Sequence, residues 1–510
     1  MRSKRAIANI ISGLILQIIV IIYGFVVPKM IISSFGSSVN GMVESITQFL
    51  AYIVLLESGF GPVVKSLLYK PIAKQDKESI QKILKSTESF FRKISLFFFI
   101  YIVILVIVFP LFINDDFSFG FTATLIIIIA ISTFAEYFFG MTYTLYLQAE
   151  QKSYVISIIQ SITYIISIVA VVLMVKLGMS IQSIKIVTSL IFVTRPLLQS
   201  IYVRKKYNIK LNKITEKSEI KQKWDGLAQH VASVIHSNTD VVIITIFCSL
   251  VDVSIYSVYY LVIKGIKSLM RTFTNGMDAL FGNMIANNEQ DNLRKKFDIY
   301  ETLFLIISII IYTCTFILIA PFISVYTADI IDANYVNYLF GYLLVIGEFI
   351  WILRIPYSTL VHSSGHFKQT RIGAWIEAIV NIVVSIALVF KWGIIGVAVG
   401  TILAMIIRTI EMIWYANKNI LKRNIFTSAK KMMIAITEAV IIIFISYKLF
   451  TIDPQTYSQW FVCAIIVLAV SIVIVGLISL IFQKQYFIEI CKILKKILRG
   501  KQDGNHIIRQ

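Results

Sequence analysis

Long apolar runs separated by short polar breaks recur from one end of this chain to the other, and lysine gathers in every second break. A helix needs about 20 consecutive apolar residues to cross a hydrocarbon layer of about 30 Å. About fourteen runs meet that length, near 6–33, 41–66, 91–114, 119–147, 153–176, 180–203, 227–250, 253–286, 300–325, 335–361, 370–391, 393–415, 428–450 and 458–483. Lipid offers the backbone no hydrogen-bond partner, so each run must satisfy its own N–H and C=O groups and is a helix. Barrel strands would alternate over about ten residues, and these runs are too long and too evenly apolar for that. Composition agrees: 57% of residues are hydrophobic and 15% charged, with a mean hydropathy of +0.81, well outside the soluble range. The fold class is an all-α polytopic membrane protein.

The positive charges set the orientation. Most of the 48 Lys and Arg fall in breaks on one side, including Lys65 to Lys93, Arg204 to Lys223, Lys418 to Lys431 and Lys484 to Arg509. The opposite breaks hold Lys176 and Lys391, together with acids such as Asp115, Asp116, Asp329, Asp332 and Asp453. By the positive-inside rule both termini are cytoplasmic and the number of spans is even. The net charge of +20 is then retention charge in contact with anionic phospholipids, and calls for no nucleic acid. The first run is too long for a signal-peptide core and lacks a small-residue cleavage site, so it is expected to stay as the first span. Cys248, Cys314, Cys463 and Cys491 form no CxxC pair, and the chain has no HExxH, nucleophile elbow or phosphate-cradling glycine loop. No disulfide framework, metal site, cofactor or ATP-driven chemistry is expected, and no catalytic residue.

The two halves look like a repeat. Ala73-Lys-Gln-Asp-Lys-Glu-Ser79 follows the second span as Ala286-Asn-Asn-Glu-Gln-Asp-Asn292 follows the eighth. Lys176-Leu-Gly178 ends the fifth span as Lys391-Trp-Gly393 ends the eleventh, at nearly the same offset. The expected organisation is an N-terminal lobe over 1–203, a basic cytoplasmic linker over 204–226, a C-terminal lobe over 227–425, two further helices over 426–483 and a basic tail over 484–510. Repeats of six helices are a transporter architecture, a V-shaped pair of lobes with the substrate site between them.

Several segments carry a resemblance. They are Glu57-Ser-Gly-Phe-Gly61, Leu147-Gln-Ala-Glu-Gln-Lys-Ser-Tyr154, Asn238-Thr-Asp240 with Tyr256-Ser-Val-Tyr-Tyr260, Gly365-His-Phe-Lys-Gln-Thr-Arg371, Asn381, and Gly393-Ile-Ile-Gly-Val-Ala-Val-Gly-Thr401. In order and spacing they resemble the O-antigen and capsule repeat-unit flippases of the multidrug/oligosaccharidyl-lipid/polysaccharide exporter superfamily, over essentially the whole chain. The resemblance implies movement of an undecaprenyl-pyrophosphate-linked oligosaccharide across a bacterial cytoplasmic membrane. Polysaccharide polymerase and glycosyltransferases of the same pathway would be its neighbours.

Charges inside a membrane helix are costly and mark a cavity or a pair. In the eighth span Tyr260, Lys264, Lys267, Arg271, Asn275 and Asp278 fall within an arc of roughly 80° at helical spacing. Three cations on one stripe repel one another and need an anion or water; a pyrophosphate-sugar head suits them, Arg as a fork and Lys as a point charge. The bland alternative is that a long helix carries Arg271 and Lys267 out to lipid headgroups. The seventh span presents Gln229, Ser233, His236, Ser237 and Asp240 on one face. Asp240 has two open readings, a coupling-ion ligand or a counter-charge for the lysines. His236 reads as structural, and Asp278 as the partner of a nearby cation. Glu57 sits where Gly59, Gly61 and Pro62 could break the second span. Glu136, Glu348, Arg354 and Glu377 are single charges, Arg408 and Glu411 an ordinary surface pair, and Trp351, Trp375, Trp414 and Trp460 interfacial anchors. A cation-coupled multidrug antiporter of the same fold is the rival; it would favour carboxylates in the N-terminal lobe. A polymerase or lipid-using glycosyltransferase needs a large outer loop or catalytic domain, which the breaks do not offer, so the chain does not read as an enzyme.

Overall fold

The structure is a computed structural model, describing residues 2–57, 59–113, 117–209, 227–274 and 276–492. Most of the predicted linker, the end of the basic tail, Asn275 and the side chain of His236 lie outside the described residues. The chain runs through α1 (Arg2–Phe35), α2 (Ser37–Ala51), α3 (Phe60–Lys74), α4 (Lys77–Val108), α5 (Phe119–Ala135), α6 (Met141–Ala149), α7 (Ser153–Lys176) and α8 (Ile181–Tyr207). It continues through α9 (Leu227–Phe247), α10 (Leu250–Thr272), α11 (Met277–Ala286), α12 (Gln290–Tyr326), α13 (Tyr338–Ser363), α14 (Arg371–Trp392), α15 (Ile394–Tyr415), α16 (Phe426–Leu449) and α17 (Tyr457–Phe482). No strand occurs among the described residues.

Twelve helical stretches among the described residues are long and apolar enough to cross a membrane. They coincide with twelve of the predicted spans. The seventh and eighth spans are also helical, as α9 of 21 residues and α10 of 23; Lys264, Lys267 and Arg271 lower the hydropathy of α10. The outer faces explain the apolar excess. Ile7, Ile11, Leu14, Ile18 and Ile22 form an exposed row along α1, and Phe461, Ile465, Leu468 and Ile472 another on α17. Rows like these, on helices long and apolar enough to cross a membrane, fit a face turned to lipid. The chain is a multi-pass membrane protein.

Polar breaks end and restart the helices where side chains can cap them. Asp76 accepts the N–H of Ser79 (3.0 Å) to open α4, and Ser118, Ser180, Asn337 and Thr456 open α5, α8, α13 and α17 in the same way. Two predicted spans are broken rather than continuous. The second tightens into a 3-10 turn over Tyr52–Glu57, and α3 then begins after Gly59 at φ 76°. The eighth, expected as one helix over 253–286, stops at Thr272 and resumes as α11 after Gly276 at φ 87°. Both glycines take the left-handed backbone that a side chain would oppose. The predicted polar stripe is therefore cut: Asp278 stands on α11, past the turn.

The chain forms two compact units. One holds Met1–Leu261 with Asp329–Ala333 and Val389–Val397; the other holds Val262–Ala328, Asn334–Leu388 and Ala398–Gln510. In the first, α7 packs against α1 and α8, and α8 against α5. Its core is aromatic around Phe60, Phe91, Phe98 and Tyr137, with Phe60 stacked on Phe90 at 3.6 Å between centroids. Asp332 accepts the Ser37 N–H (2.6 Å) and hydroxyl (2.8 Å), tying the short segment back to the start of α2. In the second unit α12 is central, and packs against α13, α16 and α17. Leu305, Ile309, Ile317 and Leu318 share a core with Leu353, Ala435, Ile442, Val467 and Val475. The last two spans thus complete the packing around α12. Lipid gives helices no hydrophobic reason to associate, so close packing and buried polar contacts hold such units together.

Candidate functional site

The second unit carries a buried chain of alternating charge across four helices. Lys267 on α10 pairs with Glu348 on α13 at 2.8 Å, their side chains only 8% and 4% exposed. One turn along α13, the Trp351 ring lies beneath the Lys267 ammonium at 4.3 Å and the Arg271 guanidinium at 5.4 Å. Another turn on, Arg354 reaches the same ring at 6.0 Å and pairs with Glu377 of α14 at 2.8 Å. Arg408 of α15 meets the other oxygen of Glu377 at 3.4 Å and also pairs with Glu411. Arg408 is 1% exposed and donates to the Thr370 carbonyl at 3.0 Å.

This corrects three expectations. Arg408 and Glu411 are not a surface pair, because the guanidinium is buried against Glu377. Glu348, Arg354 and Glu377 are not single charges but members of one network. Trp351 does not mark an interface; it sits in the middle of α13 as a platform for cations, whose attraction to an indole face grows as water is removed. A signal was present in the sequence: Glu348, Trp351 and Arg354 recur at three-residue spacing, which places them on one helical face.

The predicted stripe divides by environment. Lys264 and Arg271 are exposed, while Lys267 is buried. Among the described residues neither Lys264 nor Arg271 has an ion-pair partner. Asp278 receives the Ser363 hydroxyl at 3.5 Å instead of a cation. In the first unit, Asp240 of α9 is buried and accepts the Tyr256 hydroxyl of α10 at 3.0 Å, and Tyr256 stacks on Tyr260 at 5.7 Å.

The first unit holds a different polar cluster. A π-helical bulge over Glu136–Gly140 separates α5 from α6, a feature that often marks functional positions. Glu136 lines a small cavity of about 80 Å³ with Gln160, Arg195 and Gln199. Arg195 of α8 donates through Nε to Thr163 at 2.7 Å and lies over the rings of Phe192 (3.9 Å) and Tyr164 (4.1 Å). Its Nη2 is buried without a hydrogen-bond partner, as is Oε2 of Glu57 at the break between α2 and α3. Sequence reading missed Arg195, whose aromatic and hydroxyl partners come from other turns and another helix. No group of His, Cys, Asp and Glu suited to a metal ion occurs among the described residues.

Fold and site together define the class, a helical multi-pass membrane protein with ionised groups buried inside each unit. Its fold is shared with solved transporter structures. The lipid II flippase MurJ in an inward closed conformation is similar over 94% of this chain and 99% of its own, at 18% identity and a TM-score of 0.68. A multidrug resistance MATE family transporter of the MOP superfamily, inward-facing, is similar over 80% and 97%, at 13% identity and 0.62. MATE in a bent conformation covers 84% and 98%, at 14% and 0.54. No protein-family model matches the sequence, and no curated protein sequence matches it.

Proposed function

We propose that this chain is a flippase. It carries an undecaprenyl-pyrophosphate-linked oligosaccharide repeat unit from the inner to the outer leaflet of a bacterial cytoplasmic membrane during surface polysaccharide synthesis. The mechanism is alternating access by the two lobes, 1–203 and 227–425, with both termini cytoplasmic. The observation that carries the reading is the pair of cations without counter-ions, Lys264 and Arg271, on the same membrane helix as Lys267. Cations left without a counter-ion at such a position need an anion or water, and a pyrophosphate offers several oxygens to Lys point charges and an Arg fork. That a lipid II flippase has a similar fold supports a lipid-linked substrate.

On this reading Lys264 and Arg271 receive the pyrophosphate first. Glu348 then competes with the incoming phosphate for Lys267, and the indole of Trp351 keeps the cations grouped while the anion is absent. The membrane potential is a sufficient driver, since one charge crossing 100 mV is worth about 2.3 kcal/mol. The test is export by intact cells and flipping in proteoliposomes. Lys264→Ala and Arg271→Ala should each abolish transport at normal protein levels, and Lys264→Arg should retain more function than Lys264→Gln. Wild-type flipping by both alanine variants would overturn the reading. Orientation is checked separately: cysteines placed at Asp329 and Asp453 should react with an impermeant thiol reagent in whole cells, and one at Lys430 should not.

One observation favours a second reading, a cation-coupled multidrug antiporter. The first unit holds the carboxylates such a protein needs, Glu57 with an unpartnered buried oxygen and Glu136 at the π-bulge. Gradient-dependent drug efflux that is lost in Glu57→Gln, with no effect of Lys264→Ala, would select it.

A further inference from the structure

At the lysine-rich end of α15 the second unit forms an open cleft of about 400 Å³, lined by Trp414, Asn417, Lys418, Lys422, Arg423 and Asn424 together with Ile425. Among the described residues no acidic one lines it. The helix widens into a π-turn over Ala416–Leu421 and stops at Lys422, whose backbone is left-handed at φ 50°. The turn is fixed from behind. Gln290 donates to the Ile420 carbonyl (2.8 Å), and Arg294 to the carbonyls of Leu421 (2.5 Å) and Lys422 (2.9 Å). Arg423 is held by Asp298 (2.5 Å) and Glu301 (3.1 Å), and Lys431 by the same two acids at 2.7 Å each.

Two cations at the cleft are left over. Lys418 and Lys422 are exposed, and among the described residues neither has an ion-pair partner; Lys418 hovers 4.7 Å above the Trp414 ring. Leading up to them along one face of α15 is an exposed apolar row, Leu403, Ile407, Ile410 and Trp414. At helical spacing the row continues into Lys418. Such a row belongs against acyl chains, an indole at its end belongs at the headgroup level, and a paired ammonium there meets a phosphate.

We propose that this cleft is a binding site for an anionic phospholipid, its headgroup phosphate between Lys418 and Lys422 and one acyl chain along the Leu403–Trp414 face. The site is independent of the flippase reading. It places a lipid at the joint between α15 and α16, where Arg423 and Lys431 link that joint to α12. A lipid there braces the π-turn from the membrane side.

The full-length protein in detergent, titrated with phosphatidylglycerol or with phosphatidylcholine of the same acyl chains, tests this by native mass spectrometry. Wild type should retain phosphatidylglycerol preferentially. Each lysine at a membrane surface contributes roughly a fivefold preference for anionic lipid, so Lys418→Ala with Lys422→Ala should weaken retention by roughly 25-fold. Replacing both lysines with arginine should keep it, and Lys176→Ala with Lys391→Ala should leave it unchanged. Thermal melting of each variant confirms that the fold is intact. Equal retention of the two lipids by wild type, or unchanged retention in the double alanine variant, overturns the proposal. Displacement of the lipid by millimolar inorganic phosphate assigns the cleft to free phosphate and also overturns it.

Discussion

The two units solve the same problem, ionised groups within membrane helices, in opposite ways. In the second, Lys267, Glu348, Arg354, Glu377 and Arg408 run in sequence so that each charge faces one of opposite sign. In the first, Arg195 is held by aromatic faces and one hydroxyl. Glu57 and Arg195 each keep a buried polar atom with no hydrogen bond and, among the described residues, no ion pair, whereas Glu348 Oε2, also without a hydrogen bond, lies 2.8 Å from the Lys267 ammonium. A satisfied ionic chain is rigid, and breaking it is expensive because the orphaned charge stays behind. An unsatisfied group costs stability in the resting protein, and it is where a ligand, an ion or a proton would gain most by binding. On the proposed reading the inner part of the charged chain is scaffold, and Glu57, Lys264 and Arg271 are the responsive positions.

The sharpest way to break this comparison is at Glu377, whose carboxylate serves Arg354 and Arg408 together. Glu377→Ala orphans the Arg354 guanidinium and leaves Arg408 with Glu411 as its remaining ion-pair partner, and should cost about 4 kcal/mol, within the range for a broken buried pair. Loss of folded protein in the membrane, or a collapse of the melting temperature in detergent, is the expected result. An unaffected melting temperature would mean the chain is not a scaffold.

A smaller cost is expected at Lys267, where one partner is lost. Lys267→Ala should destabilise by about 3 kcal/mol because Glu348 is left buried and charged. The double variant Lys267→Ala with Glu348→Ala should recover most of that stability while remaining inactive in flipping. If the double variant also regains transport, Lys267 serves only to neutralise Glu348.

In the first unit the prediction reverses. Glu57→Gln keeps the shape and replaces a carboxyl whose Oε2 is buried without a hydrogen-bond partner, so the melting temperature should hold or rise. Dependence of transport on an ion gradient, if wild type has any, should disappear. A variant destabilised as strongly as Lys267→Ala would show Glu57 to be structural and erase the contrast between the units.

The smallest effect lies outside the membrane. The hydroxyl and then the backbone N–H of Ser79 hold the Asp76 carboxyl below its ordinary value. A lowered folded value means that this cap is fully present above the ordinary carboxylate range, near pH 4, and is lost as pH falls through the lower folded value. Amide exchange at Ser79, corrected for intrinsic rates, should therefore stay slow through the ordinary carboxylate range near pH 4 and quicken only below it, as the folded carboxyl takes up its proton. Asp76→Ala should remove that dependence.

The apolar runs by themselves dictated an all-helical membrane protein and located the helices closely, because lipid leaves the backbone no alternative. They also located α10 and its basic residues, since helical periodicity alone groups Lys264, Lys267 and Arg271. Sequence could not show that α10 ends at Thr272, because the turn depends on one left-handed glycine, Gly276, inside an otherwise apolar run. Nor could it show which charges pair. Glu348 meets Lys267, and Glu377 meets both Arg354 and Arg408, each on a different helix. Periodicity reports which face of a helix a residue occupies, and the partner on the facing helix is decided only when the helices pack.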